Sequence, residues 1–545
     1  MTLKTHLIAV LMASLPALTP AAESGAALGT ISFPNSGAKE AQAPFIRGVL
    51  LLHSFEYEDA REAFREARAI DPRFALAAWG EAMTHNHPLW REQDRAAALA
   101  AMNALAPTLG ERLRLAGTDR ERGYLRALEA LYGEGEKPAR DRAYAETMED
   151  LARRHPEDLE ARSFCALAIL GTAQGIRDIP TYMRAAAVAE EVFAANPQHP
   201  GAPHYLIHSY DDPVHAPLGL RAARVYARIA PAASHAQHMI SHIYVALGSW
   251  EETVAANVKA FDVSEERMKA KGLGVDTLNY HALHWMEYSY LQLGRFEEAK
   301  ARLDQMRRYA EQSGTSRALW HHAAMRAAWI VETSGRSAPP AIPKDEMGIT
   351  GAAADQFATG YAAIIAGDVA AAEEALSRIG ARRDAAASAG HLCAQTGSYL
   401  DTSKTDLVVS EVMQKSLRGL IALHRGDTTA GLALLEESTA AEESLPHEFG
   451  PPIIVKPSHE LYGEALLKLG RPADAKAQFE EALARAPRRS LALAGLARAA
   501  GATGDAVALG RACADLSSSY AGADAKVQRP EPCAARAAAS ESSGS

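Results

Sequence analysis

Seven imidazoles in the middle of the chain stand at helical spacings. His204 and His208 are four residues apart, His235, His238 and His242 follow at steps of three and four, and His281 and His284 are three apart. Residues three or four apart share one face of an α-helix, with Cβ atoms about 5–6 Å from one another. Two histidines on such a face present two ring nitrogens to one ion, and neutral imidazole suits Zn, Cu, Fe and Ni. The chain's 20 histidines would put roughly three in a stretch of this length at even density. Eight lie between His204 and His284 once His215 is counted. The concentration predicts a site for a transition metal (Cu, Zn or Fe). His204, His208, His238 and His242 would form its four corners, and His235 and His281 would hold a second ion or a substrate. Asp211 would ligate or orient an imidazole, and Tyr210, Tyr280 and His284 would stand behind the ligands or touch a bound molecule.

Such ladders need helices to carry them, and the composition points to little else. The chain has 545 residues, 48% of them hydrophobic but only 6% aromatic, and alanine recurs throughout. That balance fits closely packed helices with small residues at their contacts, and the length calls for several domains or a repeat array. Two stretches show the repeat. From Ala41, residues Gly48, Ala60, Phe64, Ala67 and Pro72 stand at positions 8, 20, 24, 27 and 32 of a unit. From Lys456, residues Gly463, Gly470, Ala475, Phe479, Ala482 and Pro487 stand at 8, 15, 20, 24, 27 and 32. Small residues at 8 and 20 let two helices cross closely, the aromatic at 24 fills the space between them, and proline at 32 ends the second helix.

This pattern resembles the tetratricopeptide repeat, a helix-turn-helix unit of about 34 residues. The resemblance implies an all-α, right-handed α-α superhelix, here an exported, bacterial-type member. It would run as two arrays, 41–333 and 349–515, on either side of the proline-rich stretch 334–348. Pro231, Gly248 and Gly294 set weaker units that start at Pro200, Ser234 and Tyr280. In this family positions 2, 5, 9, 12 and 13 face the concave groove. On that numbering all seven histidines are groove residues, with Asp211 and Asp212 at 12 and 13. His53 and His87 fall at position 13 of the first two units. The stretch LPHEFGPPIIVKP, ending at Pro457, breaks the pattern and is expected to lie across the groove.

The remaining features bound the function. A formal net charge of −10 without a Lys/Arg block argues against nucleic acid or an anionic membrane as partner. Residues 1–22 have the basic start, short apolar run and small-residue end of a signal peptide, so the expected location is the periplasm or the exterior. No stable membrane insertion is expected, because no stretch reaches the 18 apolar residues of a spanning helix. Of the four cysteines, Cys513 and Cys533 flank a tail segment and could close a loop, while Cys165 and Cys393 sit in helical patterns as buried thiols. The tail 516–545 is expected to be largely disordered. HExxH, CxxC, GxSxG and phosphate-loop motifs are absent from the sequence. Two functions remain. One is a groove that binds a transition metal, with metal-dependent catalysis on a small molecule as its extension. The other is a metal-free periplasmic scaffold for peptides or partner proteins.

Overall fold

The computed structural model of the chain describes residues 28–173, 177–335, 337–344, 346–388, 402–447 and 449–535. The leader expected over 1–22 and Cys393 lie outside the described residues. Among the described residues the strands are one two-residue hairpin, Asn86–His87 against Glu92–Gln93, and the architecture is an all-α solenoid of paired helices. None of the described helices is long and apolar enough to cross a membrane.

The first clear repeat folds as the helices Gln42–His53 and Tyr57–Ile70, and the last as Ser458–Lys468 and Pro472–Arg485. The same wedge sets both. Phe64 is fully buried, and a Cβ placed on Gly48 or on Gly80 of the next unit would come within 2.8 or 2.3 Å of its ring. Phe479 stands in the same way between Gly463 and Gly495, at 2.9 and 2.3 Å. Burying each ring contributes about 1.5–3 kcal/mol. The flanking glycines let the ring touch both its own hairpin and the next one.

The histidines ride on three helices, Gly201–Ser209, Ser234–Ala246 and Tyr280–Gln292, called here the first, second and third ladder helices. Asn279 caps the third by accepting from the Ala282 N–H at 3.0 Å. The second and third stop at Gly248 (φ 66°) and Gly294 (φ 67°), left-handed positions that glycine takes without strain. The first stops at Asp211-Asp212-Pro213, where Asp212 Oδ1 accepts from the N–H groups of Val214 and His215, both at 2.9 Å.

The solenoid coils back on these helices from both ends. The N-terminal segment docks by a Thr30 N–H to Gln198 carbonyl bond of 3.0 Å. Arg267, on the helix after the second ladder helix, reaches Asp59 of the first repeat at 2.9 Å. From the other end, Trp250 Nε1 donates to the Arg488 carbonyl (3.1 Å), and Arg489 donates to the Tyr288 hydroxyl (2.7 Å). The fully buried Arg489 also joins Glu460 (2.7 Å) and Glu332 (2.6 Å), so its charge is taken up by two carboxylates.

The apolar core follows the coil and changes hands within the second ladder helix. Ala246 packs with residues back to Leu28, and Val245 with residues onward to Ala465. The proline-rich stretch does not interrupt this second body: Ile342 and Met347 are buried in it together with Leu319 and Phe357 from either side. Residues 516–535 are likewise tied down. A Cys513–Cys533 disulfide closes the segment, and Asp524 bonds Gly294 and Glu297 at the turn after the third ladder helix.

Candidate metal centre

Six imidazoles gather into two trios, each with its ligand nitrogens within 4.8 Å of one another. In the first, His204 Nε2 lies 3.1 Å from His208 Nε2 and 3.2 Å from His235 Nε2. In the second, His238 Nε2 lies 3.2 Å from His242 Nε2, and His281 completes the set. The grouping differs from the four-cornered site expected from spacing. His235 turns back to the first ladder helix, while His238 and His242, a turn further on, face the third. Each trio therefore bridges two helices. His204, His238 and His242 are buried, His208 and His235 are half-buried, and His281 lies at the open edge.

Hydrogen bonds behind the rings fix their tautomers. His204 Nδ1 donates to the His53 carbonyl at 2.6 Å, since a carbonyl can only accept. Asn257 Nδ2 donates to the Thr253 carbonyl (2.8 Å), which leaves its Oδ1 to accept from His238 Nδ1 at 2.7 Å. His242 Nδ1 donates to the Asp211 carboxylate. With the hydrogen of each neutral ring on Nδ1, each Nε2 carries a lone pair into the trio. The His238 and His242 lone pairs then confront each other at 3.2 Å, and that of His204 meets two neighbours although it can accept from one. Two nitrogens about 2.05 Å from a shared ion and this far apart would subtend roughly 100° there, near a tetrahedral angle. Burial, aided by neighbouring imidazole charge, pulls both His204 and His238 down to about 3. The same causes hold His208 and His235 well below the usual imidazole value. All four stay neutral at neutral pH, the form that ligates metals.

A third trio, His53, Glu160 and His199, is built differently. His53 Nδ1 accepts from the Tyr205 hydroxyl (2.8 Å) and its Nε2 donates to Glu160 (2.7 Å). His199 Nδ1 accepts from the Ala202 N–H (3.2 Å) and its Nε2 donates to Glu160 (3.0 Å). No imidazole lone pair is left over. Burial pushes the Glu160 carboxyl up, but the two histidines outweigh it and hold it at about 2. This network is structural: it locks the first repeat to the first ladder helix and aims the His53 carbonyl at His204.

Aromatic walls enclose the six rings. The Trp285 ring lies 4.7, 4.4 and 5.1 Å, centroid to centroid, from His238, His242 and His281. Phe55 lies 4.3 Å from His204 and 5.4 Å from His235, with Trp90 over His235 at 5.7 Å. Phe55 holds a left-handed φ of 56°, a costly conformation for a side chain with a Cβ. Residues 445–447 and 449–457 form an irregular stretch whose Gly450 lies against Trp285. Gly450, at φ 89°, is so close that a Cβ would sit 2.1 Å from the indole. A cavity of about 70 Å³ runs beneath this stretch from His447 and His459 to Asp211.

Of the other residues read from the sequence, Asp211 reaches the trios and three do not. Tyr210 faces Glu190, Tyr280 packs on Tyr309 with Arg317 over its ring, and His284 lies beside Trp320 and His321. Spacing overlooked Asn257, Phe55, Trp285 and the His53 carbonyl. Asn257 did leave a trace: it stands at position 24 of its unit, where Phe64 and Phe479 stand in theirs.

Residues 457–489 match the family described as tetratricopeptide repeat. Among solved structures, the chain is similar to the Cut9-Hcn1 hetero-tetramer of APC/C, with a TM-score of 0.33 and 10% identity over 93% of this chain and 78% of that one. Yeast Tom70 gives a TM-score of 0.30 and 11% identity over 86% and 96%. The human IFIT1 dimer with m7Gppp-AAAA gives 0.33 and 12% over 89% and 90%. No curated protein matches the chain. The helix pair within 457–489 thus matches the tetratricopeptide repeat and sits in an all-α solenoid.

Proposed function

We propose that the protein binds transition-metal ions in the groove of its solenoid, through His204, His208 and His235 on one side and His238, His242 and His281 on the other. The observation that carries this reading is the facing pair of His238 and His242 Nε2 atoms, 3.2 Å apart, with both Nδ1 hydrogens already donated elsewhere. A cation between them turns that repulsion into two bonds. Burial holds His238 far below neutrality, so a proton competes poorly for the place. All-imidazole sets fit Zn, Cu and Fe, and three protein ligands leave a position for water or a small substrate.

The tetratricopeptide hairpin at 457–489 supports a second role in the same molecule, a scaffold for peptide or protein partners. Export belongs to the proposal too. The leader-like start at 1–22 and the Cys513–Cys533 disulfide both favour an oxidising compartment.

The test is the metal content of untagged protein, beside His204→Ala and His238→Ala variants whose helicity is checked by circular dichroism. Ion retained through dialysis by the parent and reduced in each folded variant is expected. A parent that neither carries nor takes up Cu, Zn or Fe overturns the reading.

A further inference from the structure

The two trios are not separate sites. The His208 and His242 rings, one from each trio, have centroids 5.8 Å apart, and His235 and His238, adjacent on one helix face, have centroids 6.3 Å apart. Rings of one set therefore pack on rings of the other with no intervening wall.

Their charge balance is unusual. The six ligands are imidazoles and bring no negative charge. Among the described residues, Asp211 is the one carboxylate that hydrogen-bonds a ring of either trio. Asp212 is taken by Arg177 at 2.6 Å, and Glu160 by His53 and His199. Two divalent ions would place four positive charges before Asp211 and Glu56, the latter accepting from the His235 backbone N–H at 3.0 Å, between the walls of Trp285 and Phe55. Two monovalent ions halve that load, and uncompensated charge away from water is costly. Copper combines a monovalent state with a preference for imidazole.

Resting on the metal-binding reading above, we propose that the two trios form one binuclear copper centre, loaded as two Cu(I) ions, that acts as a two-electron unit toward dioxygen. Each Cu(I) gives up one electron and becomes Cu(II). The two electrons enter one O2, which takes one proton from each of two water molecules in the groove and leaves as hydrogen peroxide; the two hydroxides so formed stay on the Cu(II) ions, one as a bridge between them, and offset the charge gained. Entry is through the open edge, where His281 meets solvent and His208 and His235 are half-buried.

The experiment uses full-length, untagged apoprotein, titrated anaerobically with Cu(I) against a chromogenic chelator and in parallel with Zn(II). Two Cu(I) per chain are expected, falling to one in His204→Ala and in His281→Ala. His281 lies at the edge of the fold, so its variant tests the second trio without emptying a packed core. On admission of oxygen the parent should consume one O2 per two coppers. Its Cu(II) electron paramagnetic resonance should integrate to well under two spins, because ions sharing an oxygen bridge couple. His281→Ala should show one copper with one full spin. Binding of a single copper, two fully visible spins, or uptake of Zn(II) that Cu(I) does not displace would each overturn the binuclear proposal and leave metal binding standing. No uptake of Cu, Zn or Fe removes both.

Discussion

A side chain that never touches the proposed ion would still set how tightly it is held, and Asn257 is placed to do so. Its amide is oriented by the Thr253 carbonyl, so its oxygen keeps the His238 hydrogen on Nδ1 and leaves Nε2 bare. Replacing Asn257 by Leu keeps the approximate volume and removes that acceptor. Partners of this kind typically hold 10–100-fold in affinity. Competition titration of N257L against a chelator should show a loss in that range with helicity unchanged, and parent-like affinity would show that the tautomer does not matter. The residue scale is also where the sequence was most legible and where it misled. Steps of three and four place imidazoles on one face of a helix whatever surrounds them, so the six candidates follow from chain geometry alone. Which three share an ion depends on how each helix is rotated about its axis, and local spacing carries no record of that.

At the scale of elements, Gly450 presses onto Trp285, the ring that packs on all three histidines of the second trio, so the stretch carrying Gly450 is placed to act as a cover. Gly450→Ala would add a Cβ 2.1 Å from the indole and strain a backbone at φ 89°. Together these cost about 1–3 kcal/mol, which lifting the stretch would relieve. We expect a lower melting temperature and faster loss of metal to a chelator in stopped flow; an unchanged off-rate would mean that the stretch is not a cover. Its unusual composition marked it in the sequence as something lying across the groove. The repeat was legible at both ends for a related reason, since Gly48, Phe64 and Gly80 recur at the intervals of Gly463, Phe479 and Gly495. The central units lack that signature because their inner positions went to polar work, as Asn257 at the aromatic position shows. The His53 carbonyl that orients His204 comes from 151 residues away, a pairing no local pattern encodes.

For the molecule as a whole, buried histidines tie stability to pH. His284 and His322 are held at about 4, His284 by burial and His322 by burial together with Arg307 and Arg326. In the unfolded chain both return to about 6.5. Below that value the unfolded state binds protons that the folded state refuses, so stability present at pH 7 is lost as pH falls from about 6.5 towards 4. Each group contributes up to about 1.4 kcal/mol per pH unit across that window. Thermal melts of chelator-treated protein should fall steadily over this range, and His322→Gln should flatten the slope; a melting temperature independent of pH between 7 and 4.5 would contradict the assignment. The handover of the core within the second ladder helix has another consequence. The two apolar bodies meet on that helix, and both histidine trios draw on it. An ion bound there as proposed would work like a rivet through two plates. A compartment poor in that ion would then release a loosely hinged chain, open to proteases at its middle, and turnover would track supply.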